Sequence, residues 1–418
     1  MVLSTSQQQL ANQIDLFEHV AGAYAQPISG RLTNKELYRI AVGRAGIEAS
    51  NLNRKTPVGQ AGKERSILKR QIRWRQQTLR QLGIIERVEG MRGVWELTQA
   101  GKSKLLKIRD GISVLGFRTD LGMAIWSNCT SVFSKWDEPI FLVLTSPPYP
   151  LSQPRAYGNP PIEEYLDFIC QSIEPLVRNL VKGGNVVLSL GDVFEQGSPA
   201  KSTYIEELTI ALRKRLGLYL MNRIVWESNK PPGPIQWASK QRMQLNEGYE
   251  FCLWFCNDPN ACIADNRRVL EPHTEAHKKL IERGGEQRVA IHGDGAYHIR
   301  HGSYGQPTVG RIPRNVFHVS NHCASQRAYK KRAKEMGLVP HGATMPLKLA
   351  RKLVRFLTDV EQTVADPFGG SMTTPFACEL ENRSWIATEN VFDYVRGGAE
   401  RFVDRPGYEL RLNIELTD

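Results

Sequence analysis

Two hydrophobic periods divide the chain. Over residues 64–82, Ile67, Ile72, Leu79 and Leu82 stand at helical intervals among Arg and Lys, which predicts an amphipathic helix closed by Gly83. Upstream, residues 31–52 predict a helix opened near Thr33, since Thr33 followed by Glu36 is a capping box, and then a second short helix. Downstream, residues 84–105 predict two short strands around Gly90–Gly93 and a final helix from about Thr98. Helix, helix, basic helix and β-hairpin is the order of a winged helix.

From about residue 111 the period changes. Short apolar runs at 140–145, 185–190, 220–226, 249–255, 363–366 and 384–388 predict buried strands. Helical stretches at 162–181, 202–216, 345–358 and 372–381 alternate with them, the pattern of an α/β layer fold. Residues 258–340 break the alternation. They are rich in Gly, Pro, His and Arg, hold seven of the nine histidines, and carry 14 Lys and Arg against 8 Asp and Glu. This segment reads as an insertion serving recognition rather than core.

Charge sharpens the division. Residues 1–110 carry 19 Lys and Arg against 9 Asp and Glu, so most of the net charge of +12 sits in that quarter of the chain. Such a concentration favours a polyanionic partner, nucleic acid above all. No apolar run approaches the roughly 20 residues of a membrane helix. The start, MVLSTSQQQLANQ, lacks the marks of a signal peptide, and seven cysteines without framework spacing suit reduced thiols, so the expectation is a cytoplasmic protein.

Two motifs carry candidate chemistry. Thr145-Ser146-Pro147-Pro148-Tyr149-Pro150 follows an apolar strand directly. Consecutive prolines fix φ and remove two backbone donors, exposing carbonyls beside an aromatic ring that can stack on a flat base. An exocyclic amine is a poor nucleophile until its nitrogen moves toward tetrahedral geometry. Acceptors from the Ser146 side chain and the Pro147 carbonyl, aimed at its two N–H bonds, favour that shift. Tyr149 would hold the base once it has left the duplex. The second motif, Ala365-Asp366-Pro367-Phe368-Gly369-Gly370-Ser371-Met372-Thr373-Thr374, follows a short strand and opens a helix, where glycines let backbone approach a ligand. Glu389 ends the next strand, the place from which a carboxylate commonly receives ribose hydroxyls.

Residues 10–108 resemble the N-terminal winged-helix domain attached to Mrr-type restriction proteins, on Ile72-Arg73-Trp74, Leu79, Leu82-Gly83-Ile84-Ile85 and Leu97-Thr98-x-x-Gly101. That resemblance implies duplex binding, with Arg70, Arg73, Arg75 and Arg80 available to phosphates. Residues 115–400 resemble the β class of amino-methyltransferases, in which the Ser-Pro-Pro-Tyr motif precedes the Asp-Pro-Phe-x-Gly cofactor loop and target recognition lies between them. Arg311-x-x-Arg314-Asn315-Val316-Phe317 and His341-x-x-x-Met345-Pro346 fit later motifs of that class. Met372 departs from it, since glycine is usual there, and Asp120 only approximates its upstream Gly-Asp pair.

The resemblance implies a Rossmann-like, S-adenosylmethionine-dependent methyltransferase domain at 111–418 with a target-recognition region at 258–340, joined to a winged helix at 1–110. It implies catalysis by Ser146, Pro147, Pro148 and Tyr149. It places the cofactor on Asp366, Pro367, Phe368, Gly369, Gly370, Ser371, Thr373, Glu389 and Asn390, with His341, Thr344 and Met345 beside it. Arg311 and Arg314 join the DNA contacts. Serine before Pro-Pro-Tyr favours N4 of cytosine in duplex DNA. N6 of adenine, an RNA substrate, and a non-catalytic DNA-binding regulator on the same fold are the competing readings. A cognate restriction endonuclease and a second copy of the chain are partners compatible with the resemblance.

Other signals weigh less. Cys252-x3-Cys256 with His273-x3-His277 imitates a zinc spacing, but both cysteines fall in a buried-strand pattern, so no metal is expected. Asp192, the group His292, His298 and His301, and Lys330-Lys331-Arg332 read as loop or surface residues with a subsidiary place near DNA.

Overall fold

The computed structural model describes residues 20, 23–24, 31–45, 47–58, 63–81, 84–98, 107–108, 110–150, 160–229, 233–321 and 323–412. Near the N-terminus, β1 (Arg31–Thr33) leads into α1 (Asn34–Arg44). The capping box is formed: Thr33 Oγ1 accepts from Glu36 N at 3.2 Å and the Glu36 carboxylate from Thr33 N at 2.8 Å. A hairpin not read from the sequence, β2 (Thr56–Val58) with β3 (Lys63–Arg65), precedes α2 (Ile67–Gln81). Strands β4 (Ile85–Arg87) and β5 (Val94–Leu97) then form a hairpin, with Gly90 and Gly93 supplying φ of 74° and 81° at its turn. The sheet order is β1-β5-β4.

Leu37, Ile72, Leu79, Ile85 and Trp95 close a small core between these elements. Ile67 does not join the apolar face, being 48% exposed at the helix start. Gly83, Leu82 and the helix expected from Thr98 onward lie outside the described residues, apart from Thr98 itself.

The larger part is built on one ten-stranded sheet of order β14-β10-β11-β9-β8-β15-β16-β7-β6-β17. In chain order its strands are β6 (Ser113–Arg118), β7 (Gly122–Ser127), β8 (Ile140–Thr145), β9 (Leu180–Leu190), β10 (Tyr219–Glu227) and β11 (Tyr249–Cys256), then β14 (Val316–His318), β15 (Thr363–Asp366), β16 (Ser384–Glu389) and β17 (Glu409–Leu410). Strands β9, β8, β15, β16 and β7 run parallel, whereas β11 lies antiparallel between β9 and β10. The short helix α3 (Cys129–Phe133) follows β7; α4 (Ile162–Arg178) and α5 (Tyr204–Leu216) flank β9 in sequence.

Residues 258–340 are less separate than expected. Their middle holds α6 (Glu275–Glu282) and the hairpin of β12 (Ala290–His292) with β13 (Tyr297–Ile299). Their ends belong to the main body: β14 pairs in parallel with β10, Val269, Phe317 and Val319 are buried, and α7 (Ala324–Glu335) packs Tyr329 and Ala333 inward. The reading of the whole segment as apart from the core therefore fails at its two ends. Helix α8 (Leu347–Leu357) buries Leu349, Ala350, Leu353, Val354 and Leu357 at helical spacing, and each of its buried leucines stabilises the body by about 1.5–3 kcal/mol. Helices α9 (Thr373–Leu380) and α10 (Phe392–Ala399) follow β15 and β16. No described helix is long and apolar enough to cross a membrane.

Candidate active site

Parallel strands bring their C-terminal ends to one edge, where open α/β sheets place ligands. Here the ends of β8, β15, β16 and β7 surround a cavity of about 790 Å³. That is within the usual range for a cofactor-sized site. Both motifs enter it. Ser146, Pro147, Pro148 and Tyr149 line one side. Asp366 through Ser371, Thr373, Glu389 and Asn390 line the other, with His341, Thr344 and Met345 beside them. Residues more than 200 positions apart in the chain thus share one space.

A single buried bond joins the motifs. Thr145 Oγ1, at the end of β8, donates to Asp366 Oδ1 at 2.6 Å, and Phe368 N donates to the same oxygen at 3.1 Å. Burial nevertheless raises the Asp366 carboxyl to about 6, outweighing these donors. Glu389 is held similarly: its two oxygens accept from Gly370 N at 2.8 Å and Val391 N at 2.9 Å, while burial lifts it to about 7. Gly370 turns the loop with φ of 48°, and Thr388 O accepts from Gly369 N at 2.8 Å. Phe368 sets its ring 5.6 Å from that of Phe168.

Met372, the departure from the family pattern, turns out not to occupy the cavity. Its backbone is left-handed, φ 58°, and its fully buried side chain lies under the loop against Gly369 and Gly398.

On the opposite wall, Ser146 Oγ donates to Ser189 O at 3.3 Å. Tyr149 OH donates to Glu250 Oε2 at 3.0 Å, fixing a half-buried ring. Burial and the Glu250 charge push the Tyr149 phenol well above its ordinary range, so it stays neutral. The ring passes so near β9 that a Cβ on Gly191 would stand 3.0 Å from Tyr149 Cε2. Glycine at 191 lets the ring lie this close without displacement.

Several lining residues escaped the sequence reading, among them Asp110, Asn128, Cys129, Glu250 and Gln326. Asp120, the approximate match, sits on the β6–β7 turn with its N–H donating to Pro406 O at 2.9 Å, and it does not line the cavity. Asp110 stands in the cavity instead, with its carboxylate accepting from Asn128. Its signal was an Asp at the strand approach, ahead of rather than after its glycine.

The basic residues lie elsewhere. Arg70, Arg73 and Arg80 are exposed on α2, and at 100° per residue they share a face with Trp74, itself 71% exposed. Arg75 falls on another side of the helix, and partial burial lowers its guanidinium. It is therefore the least suited of the four to a phosphate. Arg311 is exposed but pairs with Glu271 at 2.9 Å; Arg314 is exposed. His292, His298 and His301 are exposed, Lys330 reaches the cavity, and Asp192 pairs with Lys201 at 2.5 Å. Cys252 and Cys256 are buried within β11.

The chain is similar to known proteins. Type II methyltransferase M.PvuII of Proteus hauseri is 32% identical over 269 residues, 64% of this chain and 79% of that protein. Orphan methyltransferase M.BamHII of Bacillus amyloliquefaciens is 25% identical over 270 residues, 63% of this chain and 89% of that one. The solved structure of PvuII DNA methyltransferase (cytosine-N4-specific) superposes with a TM-score of 0.54 at 27% identity, covering 68% of this chain and 88% of that chain. Residues 17–107 match the Mrr N-terminal domain. Residues 140–400 match the DNA methylase family of N6 and N4 methyltransferases, and with more than half its length in that match the chain belongs to this family.

Proposed function

We propose that this DNA methylase transfers a methyl group to N4 of cytosine in duplex DNA, acting directly on a base turned out of the helix. S-adenosylmethionine is the family's methyl donor, and the residues present suit it: a glycine turn beside Asp366 in which bulk is already excluded, and the buried carboxylate of Glu389 at a strand end. Once bound, it supplies an electrophilic methyl on sulfur.

The chain's own residues then have three tasks. Asp366, Pro367, Phe368, Gly369, Gly370, Ser371, Thr373, Glu389 and Asn390 hold and orient the donor, with His341, Thr344 and Met345 closing over it. Tyr149, its hydroxyl tied to Glu250, offers a fixed ring to the extruded base. Ser146 and Pro147 act on the amine. Because the Ser146 proton is committed to Ser189 O, its lone pairs are available to accept one amine N–H, and the Pro147 carbonyl accepts the other. Both bonds strengthen as nitrogen becomes tetrahedral, which is the condition for lowering the barrier. The carrying observation is the Thr145–Asp366 bond, which locks the base side to the donor side and so fixes the approach of nitrogen to methyl.

Serine ahead of Pro-Pro-Tyr, and a cytosine-N4-specific relative among the solved structures, support cytosine over adenine. Arg70, Arg73, Arg80 and Arg314 are the proposed phosphate contacts, with Arg311 in a lesser role and Arg75, half-buried on another side of α2, left out of them. A cognate restriction endonuclease is the partner class suggested by the type II relatives. The test is transfer of labelled methyl to mixed-sequence duplex DNA followed by nucleoside analysis. N4-methylcytosine, lost in Ser146→Ala and Tyr149→Ala, is the expected product. N6-methyladenine would correct the base, and no transfer by folded protein would end the proposal.

A further inference from the structure

The loop 341–345 has no regular structure of its own, yet it forms one side of the cavity. Its backbone is satisfied from one direction. Gln326 Nε2 donates to Thr344 O at 2.8 Å and to Met345 O at 2.7 Å. Tyr329 OH accepts from His341 N at 2.9 Å, and Lys330 Nζ donates to Gly342 O at 3.2 Å. Positions 326, 329 and 330 share a face of α7, at i, i+3 and i+4. Four side-chain-to-backbone bonds therefore hold the loop to a single helix, and Gln326, only 5% exposed, makes two of them.

Helix α7 is itself anchored at the other side of the site. It follows residues 319–321, where Trp226 Nε1 donates to Val319 O at 2.8 Å and Asn229 Oδ1 accepts from Asn321 N at 2.9 Å. Trp226 and Asn321 line the same cavity from the end of β10, toward the Tyr149 wall and away from β16. Residues 319–321 are thus tied to the β10 end of the sheet, and α7 to the loop.

We propose that Gln326 is a positioning residue for cofactor binding, setting the 341–345 loop through the Thr344 and Met345 carbonyls. This rests on the reading of that loop as part of the cofactor site. Gln326 does no chemistry; its amide is spent on backbone. Removing the amide leaves two buried carbonyls without their donor, and the loop relaxes away from the ligand.

The test is calorimetric titration of full-length protein with S-adenosylmethionine and with S-adenosylhomocysteine, alongside steady-state kinetics on duplex DNA. Gln326→Leu is expected to weaken both ligands about tenfold, with the loss appearing in cofactor KM more than in kcat. Gln326→Glu supplies a signature that a merely structural role lacks. A carboxylate can only accept and opposes the two carbonyls, whereas the protonated acid has one O–H to donate. Relative to Gln326→Leu at the same pH, cofactor affinity of Gln326→Glu should therefore recover in part as pH falls. Among the described residues, Cys323, Tyr329, Lys330, His341, Glu389, Asp393, Tyr394 and Arg401 are titratable groups about this packing. Gln326→Leu retains all of them and reports their share of any pH response. Unchanged affinity in Gln326→Leu, or parallel pH profiles for the two variants, overturns the proposal. Should wild type bind neither ligand, the cofactor reading of the loop fails and this proposal with it. Wild-type binding without effect of the variants removes only the role of Gln326.

Discussion

Met372 sets two effects against each other at one position. A left-handed backbone costs a residue with a Cβ about 1–2 kcal/mol, while truncating a buried methionine costs about 2–5 kcal/mol. Burial wins, so Met372→Gly should destabilise the protein by about 1–3 kcal/mol in urea unfolding. Cofactor affinity should hold, since the side chain packs on Gly369 and Gly398 outside the cavity. A large loss of affinity with little loss of stability would mean that it shapes the ligand site after all. Glu389 and Asp366 pose the same contest in protons. Burial raises them to about 7 and about 6, so the folded chain holds protons that the unfolded chain has released from its ordinary carboxylates. With more protons bound in the folded state, stability falls as pH rises from about 5 to 7. If Glu389 receives the donor's ribose as proposed, the hydroxyls donating to it would favour its charged form, so cofactor affinity should rise over the same interval. Melting curves across that range, with and without S-adenosylmethionine, check both signs. Glu389→Gln should flatten its share of each slope, and a slope unaltered by this variant would assign the effect elsewhere.

At the scale of elements, the site depends on how closely β9 passes β8. Gly191→Ala would press a methyl to 3.0 Å from the Tyr149 ring and 3.6 Å from Glu250 Cγ, moving the ring by a few tenths of an ångström. Displacements of about 1 Å can cost a hundredfold in rate, so a loss in kcat of about threefold to tenfold is expected here, with the fold intact by circular dichroism. Wild-type kcat in Gly191→Ala would show that the ring is not held to that tolerance. None of this was legible in the sequence, where Gly191 is one glycine at a strand end. The two motifs were legible because their chemistry is local: prolines, an aromatic and a glycine turn act within ten residues. Strand β8 was legible as an unbroken apolar run, and β15 as Val364 and Ala365 leading into the second motif. Strands β6 and β7 were not: Gly116 interrupts the one and Gly122 opens the other. Those glycines answer to distant neighbours: a Cβ on Gly122 would fall 2.0 Å from Trp385 O, and one on Gly116 2.6 Å from Val395. The rest of the cavity wall comes from loops and from α7, whose polar residues carry no period and meet only in three dimensions.

Across the whole molecule, charge and chemistry occupy different places. The basic excess lies in the first quarter of the chain, whereas the cavity is walled by residues from 107 onward. At the described start of the larger part, Ile108 N donates to Asn390 O at 2.9 Å, and Lys107 and Asp110 line the cavity. A segment that grips phosphates through Arg70, Arg73 and Arg80 would therefore raise the local concentration of DNA without touching the reacting atoms. Two consequences separate. Each phosphate contact removed should shallow the slope of log affinity against log salt by about 0.9, so Arg70→Ala with Arg73→Ala should reduce it by about 1.8 and weaken binding most at low salt. The rate at saturating DNA should change little, because Ser146, Pro147 and Tyr149 remain in place. Arg75→Ala is the internal control: half-buried and off the exposed face, it should leave the salt slope where it was. Binding measured by fluorescence anisotropy over a salt series, with turnover at saturating DNA, distinguishes the cases. If the double variant keeps the wild-type slope, the exposed face of α2 does not meet DNA, and its arginines and Trp74 are a surface for some other contact.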